Sequence, residues 1–152
     1  MKSYVIMPYG GDDPARVKEY SRIFRYLIKD AVHLYDPEAI VNRQDRTFEG
    51  GQIVRNVIAN IAEADIVIVD LSDNAWNVAY ELGIRHVMSK CGTILLCNDQ
   101  TILPYDIQHL NVIIYPKNSW LDEVEELTAQ IASSIAVAMQ AIENRTYEIG
   151  RA

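Results

Sequence analysis

The chain has 152 residues, 23% charged and 49% hydrophobic, with a formal charge of -7. That length supports one domain with a real core, and the acidity argues against a nucleic-acid partner, which would call for a basic patch. No apolar run approaches the roughly 20 residues of a membrane span, and no signal peptide is expected ahead of the first strand. Cys91 and Cys97 stand in no metal or redox spacing, so a cytoplasmic protein with two reduced thiols is expected.

Tyr4 to Tyr9 reads as a first strand, closed by Pro8, which cannot donate to a ladder. Gly10 to Asp13 is a polar loop, and Pro14 suits the first turn of a helix. From Ala15 to about Lys29, Val17, Tyr20, Ile23, Phe24, Leu27 and Ile28 fall at helical spacing. The second strand has two candidates, Val32 to Tyr35 or Ala39 to Val41, separated by the break at Asp36-Pro37. Asn42 to Arg46 reads as a solvated loop or as one that folds over a ligand and brings Arg43 or Arg46 to an anionic group. Gly50-Gly51 precedes a helix from Gln52 to about Glu63. It reads as a tight turn or a weak phosphate signal, matching neither the dinucleotide fingerprint nor the P-loop.

Ile66 to Val69 is an unbroken β-branched run, expected as a strand buried on both faces. Asp70 closes it, and Ser72, Asp73 and Asn74 are turn and N-cap residues. A helix follows from Val78 to Met88, with Val78, Leu82 and Ile84 on or near one face. Cys91-Gly92 is a helix stop. Thr93 to Cys97 and Val112 to Tyr115 are the fourth and fifth strands, joined by a loop from Asn98 to Leu110. Ser119 is the expected N-cap of a last helix from Trp120 to about Ile142, whose first turns hold Asp122, Glu123, Glu125 and Glu126. Residues 1–142 thus form one domain, and 143–152 a polar tail or truncated linker.

This order fits an α/β fold: a flavodoxin-like, doubly wound, five-stranded parallel sheet of order 2-1-3-4-5 with helices on both faces. Its topological switch lies between strands one and three, where ligands bind beyond the carboxyl ends. The loops at Pro8-Tyr9 and Asp70-Leu71-Ser72 leave those two strands. Glu81 is the main candidate for chemistry; its alternative is a helix-start carboxylate paired with Arg85 at i+4. Asn77 shares its face. Asp70 either binds ligand or accepts N–H bonds from its own loop, and Ser72 either caps the helix or binds a hydroxyl. Tyr9, Trp76 and Tyr80 are packing residues or a stacking wall for a flat base. His33, His86 and His109 form no metal set. One carboxylate, aromatics, small polar groups and no metal suit cleavage of an N-glycosidic bond, whose oxocarbenium-like transition state a carboxylate stabilises or attacks. No cofactor is needed; NAD would be substrate, its nicotinamide already a cationic leaving group.

The strand Tyr4 to Tyr9, the run Ala64 to Leu71, the stretch Asn77-Val78-Ala79-Tyr80-Glu81-Leu82-Gly83 and the turn Pro104-Tyr105-Asp106-Ile107 together resemble bacterial TIR-like proteins related to nucleoside 2-deoxyribosyltransferases. The resemblance runs from about Lys2 to Tyr115. It implies a flavodoxin-like fold and a catalytic glutamate at Glu81, serving NAD cleavage to nicotinamide and ADP-ribose or a cyclic product. In the transferases that glutamate is the nucleophile that takes the deoxyribosyl group. Their second carboxylate would fall near Ala75, where Asp73 is the nearest acid. The leading expectation is therefore an NAD-cleaving N-glycosidase, with Tyr9, Asp70, Ser72, Asn77, Trp76, Tyr80, Arg43 and Arg46 around the substrate. A deoxyribosyltransferase or nucleoside hydrolase is the alternative, and a non-catalytic nucleotide-binding or TIR-docking module a third. The resemblance also implies a defence effector switched on by self-association into a homo-oligomer or by a sensor partner.

Overall fold

Five parallel strands form the centre of the computed structural model, which describes residues 1–43, 51–88 and 91–151. They are β1 (Lys2–Ile6), β2 (Ile40–Arg43), β3 (Ile66–Asp70), β4 (Thr93–Asn98) and β5 (Val112–Tyr115). Their order is β2-β1-β3-β4-β5, the flavodoxin-like order expected. β3 is buried along its whole length, as its β-branched run requires when both faces are covered. The register sets Val5 beside Ile68, and Val69 beside Leu95.

The helices divide between the two faces. One face packs α1 (Pro14–Arg22), α2 (Asp30–Tyr35) and α5 (Val124–Arg151) over Val5, Ile66, Ile68 and Leu96. The other packs α3 (Gly51–Glu63) and α4 (Trp76–Met88) over Tyr4, Ile6, Val67 and Val69. Each fully buried Ile or Leu contributes about 1.5–3 kcal/mol by leaving water.

Several boundaries differ from the sequence reading. Val32 to Tyr35 is helix, and the second strand is the later candidate. A seven-residue π-helical stretch, Ile23–Lys29, joins α1 to α2, so helix runs without a break from Pro14 to Tyr35. Val32 is then buried in the core instead of lying in the sheet. Trp120–Glu123 is a 3-10 turn ahead of α5, and Ser119 precedes it without a side-chain capping bond. The backbone of residues 143–151 continues α5 past the expected end near Ile142.

The amino end of the sheet is fastened by Arg85. Its guanidinium donates to the carbonyls of Ile61, Ala64, Asp65, Cys91 and Gly92 at 3.0–3.3 Å. Two of these carbonyls lie at the C-terminal end of α3, where a cation is favoured. Gly92 adopts φ +80°, and a Cβ there would sit 2.5 Å from the Asp65 carbonyl oxygen, so glycine is required. Among the described residues no helix is long and apolar enough to cross a membrane.

Candidate active site at the switch crevice

A crevice of about 290 Å³ opens where β1 and β3 diverge. Pro8, Tyr9, Gly10 and Gly11 line it from the loop after β1, Arg16 and Tyr20 from α1, and Asp73, Ala75 and Asn77 from the loop after β3 and the start of α4. This is the position the strand order dictates for a ligand.

The loop after β3 owes its shape to a buried polar network. Asp70 is fully buried. Its Oδ1 accepts from the Ser72 N–H at 3.0 Å, and its Oδ2 accepts from the Tyr115 hydroxyl at 2.7 Å. The Ser72 hydroxyl lies 3.0 Å from the Tyr115 oxygen and accepts the Asn98 N–H at 2.8 Å. Burial pushes the Asp70 carboxyl up, and the bonds from Ser72 and Tyr115 oppose that rise. Asp70 and Ser72 therefore do not face the crevice as expected of substrate contacts. Their polar atoms are consumed in holding the loop, as buried groups require, and Ser72 caps no helix.

Beyond this anchor the chain turns through Asp73 at φ +61° and Asn74 at φ +49°. Asp and Asn are the residue types that best tolerate a left-handed backbone. The turn is held by the Asp73 N–H donating to Thr101 Oγ1 at 3.2 Å, which in turn donates to Asn98 Oδ1 at 2.9 Å. It presents the Asp73 carboxylate to Arg16 and Tyr20, both of which donate to it, with Lys117 Nζ at 3.8 Å. Burial alone would raise Asp73; the Tyr20 and Arg16 bonds and the two cations together hold it below the ordinary carboxylate range.

Glu81 lies one turn down α4 from Asn77, the i+4 neighbour on the same face. It is only 6% exposed and has no hydrogen bond or ion pair among the described residues. The expected pairing with Arg85 does not form, because Arg85 is spent on backbone carbonyls. Burial pushes the Glu81 carboxyl up to about 7. The Tyr4 hydroxyl is close enough to feel its charge, along with that of Tyr9, and is raised first by burial and then by both. Ser3 Oγ and Tyr4 Oη are the two buried side-chain polar atoms without a hydrogen-bond partner among the described residues.

The remaining expected site residues separate. The Arg43 guanidinium lies 4.6 Å from the Phe24 ring centre and 5.7 Å from that of Tyr9, which lines the crevice. Arg46 and Gly50 lie outside the described residues. Trp76 and Tyr80 do not line the crevice. Trp76 borders a separate apolar cavity of about 340 Å³ with Ile102, Leu103 and Ile107, and Tyr80 is exposed on the outer side of α4. Tyr4, Arg16 and Tyr20 were not singled out by the sequence reading. The available signal for Tyr4 was a phenol inside an otherwise apolar strand, and for Arg16 a cation one turn after the Pro14 helix start.

No family model matches the sequence, and no curated protein matches it. Solved structures do. A 2-deoxyribosyltransferase from Bacillus psychrosaccharolyticus superposes with a TM-score of 0.56 at 20% identity, covering 78% of this chain and 89% of that one. A CMP N-glycosidase from Clostridium botulinum gives 0.55 at 18% identity, covering 83% and 99%. A 2-deoxyribosyltransferase from Leishmania mexicana gives 0.54 at 15%, covering 82% and 97%. At these identities the likeness is one of fold alone.

Proposed function

We propose that this chain cleaves the N-glycosidic bond of a nucleoside or nucleotide, with Glu81 as the carboxylate that meets the sugar. The observation that carries this reading is Glu81 itself: buried, without a partner, and adjacent along α4 to a crevice at the switch point. A structural glutamate at that depth would be expected to hold an ion pair. An acid kept unpaired beside a crevice is instead free to act on a ligand.

The C1′–N bond breaks and its electron pair leaves with the base. Positive charge develops on the sugar, and ionised Glu81 either stabilises it or forms an ester bond to C1′. Water, or a second base, then takes the sugar. With its proton on, Glu81 is an acid of the strength suited to protonating a leaving base near neutral pH. In this reading Asn77 serves the sugar hydroxyls, Tyr9 the base or sugar face, and Arg43 and Arg16 an anionic group. The fold likenesses include proteins whose names specify nucleoside and CMP chemistry, which favours these substrates over NAD. The defence role and activating partner implied by the resemblance gain no support from the fold.

The test is base release from a panel of nucleosides, nucleoside monophosphates and NAD, with Glu81→Gln alongside. We expect release from a nucleoside or nucleotide, reduced by about 10²–10³ or more in the variant. Turnover undiminished in Glu81→Gln, or release from NAD alone, overturns the proposal.

A further inference from the structure

The cations of the crevice are already engaged. Arg16 and Tyr20 both donate to Asp73 Oδ2, and Lys117 Nζ lies 3.8 Å from Oδ1 of the same carboxylate. A guanidinium, a phenol and an ammonium converging on one oxyanion form a donor set suited to a phosphate. Here the oxyanion comes from inside the chain.

The amide donors at the start of α1 are engaged in the same way. Asp13 caps that helix: its Oδ1 accepts from the Ala15 N–H at 2.9 Å, and its carbonyl accepts from the Val17 N–H at 3.0 Å. Pro14, the first helical residue, has no N–H to offer. Gly10 folds the loop against this turn, where a Cβ would sit 2.4 Å from the Val17 nitrogen. A helix start and its arginine are a ready phosphate site, and in this chain each holds a carboxylate of its own. Asp73 is also fixed in place, because its N–H donates to Thr101 Oγ1 at 3.2 Å and Ser72 before it is tied to Asp70. Burial would raise its carboxyl, and the Tyr20 and Arg16 bonds bring it below the ordinary range, so it is anionic throughout neutral pH.

We infer that Asp73 sets the substrate class of this site: it stands in the crevice where a substrate phosphate would bind, and so selects nucleosides over their 5′-monophosphates. This rests on the N-glycosidase reading above and narrows it, since the anionic group that Arg16 meets in the folded chain is Asp73. A monophosphate would bring a further charge of about −1.5 to −2 beside that carboxylate, or would have to displace it from its donors. Like charges brought together in this way discriminate strongly against the charged ligand. A nucleoside brings no such charge. Arg43, stacked against the Phe24 and Tyr9 rings, is not among the described residues that line the crevice.

The test measures base release from each nucleoside and from its 5′-monophosphate, with titration of inorganic phosphate by calorimetry alongside. Wild type is compared with Asp73→Asn, Asp73→Gly and the double variant Asp73→Asn, Arg16→Gln. Asn and Gly both suit the left-handed backbone at this position, and circular dichroism with melting temperature confirms that the variants fold. We expect wild type to favour the nucleoside. The ratio of kcat/KM for monophosphate over nucleoside should rise about tenfold or more in both single variants and fall back in the double variant. Phosphate should bind the single variants and show no measurable binding to wild type or the double variant. A wild type that prefers the monophosphate, or a ratio unchanged in both single variants, overturns the inference and leaves the role of Glu81 standing. If no substrate releases its base, the N-glycosidase reading fails separately, and the titration still decides whether Asp73 occupies an anion site: phosphate binding equal in wild type and single variants overturns that.

Discussion

Replacing Glu81 by Gln should make the protein more stable and less active, and the stability gain should depend on pH in a defined way. The carboxyl is held at about 7 in the fold, against an ordinary 4.5. Between those values the native chain keeps a proton that the unfolded chain has released, so wild-type stability falls as pH rises and levels off above about 7. The shift corresponds to about 3 kcal/mol at pH 8, and to less than about 1 kcal/mol at pH 5, where the folded carboxyl is still neutral. Gln is nearly isosteric with the neutral acid and does not ionise, so the variant should escape this loss. Urea unfolding of both proteins at pH 5 and pH 8 reads the difference. Thermal unfolding at pH 8 should likewise give a melting temperature higher by roughly 6–12 °C. A variant no more stable than wild type at pH 8, or a gain equal at the two pH values, would refute the argument that burial without a partner sets the state of Glu81.

Other outcomes follow from the same geometry. If ionised Glu81 carries the rate-limiting step, kcat/KM for base release should rise with pH through about 7 and flatten above it; a profile flat from pH 5 to 9 would remove Glu81 from that step. Tyr115→Phe removes the donor to Asp70 Oδ2 and the neighbour of the Ser72 hydroxyl. It should cost about 1–3 kcal/mol in denaturant unfolding through the unsatisfied carboxylate, and a loss within about 0.5 kcal/mol, the range of neutral surface changes, would show that the loop does not depend on this network.

The sheet was legible because its signal is local. Ile66 to Val69, Thr93 to Cys97 and Val112 to Tyr115 are β-branched or apolar runs bounded by polar turns, and each lies in a strand. The second strand was ambiguous because Val32 to Tyr35 is as apolar as the segment that pairs with β1. Only the continuous helix from Pro14, with its π-helical turn, decides between them, and that depends on packing against α5. At the site, Asp70 and Ser72 looked like ligand contacts because a polar residue at a strand end is equally suited to binding and to holding a loop. The partners that decide it, Tyr115 and Asn98, lie 45 and 26 residues further along the chain. Trp76 and Tyr80 were ambiguous for a related reason. Their spacing gives a shared face but not its direction, and the buried positions of Glu81 and Arg85 turn that face outward.

The Arg85 clamp also fixes how α4 can move. Its five carbonyl bonds fasten the helix near the amino end of the sheet, while the other end meets the loop at Ala75 and the crevice. A rigid tilt of α4 would therefore pivot about Arg85. Glu81 lies about 6 Å along the axis from that pivot and Trp76 about 14 Å. The same tilt displaces Trp76 more than twice as far as Glu81. The carboxylate sits near the fulcrum, and the end of the lever that travels is the one bordering the crevice between the loops after β1 and β3.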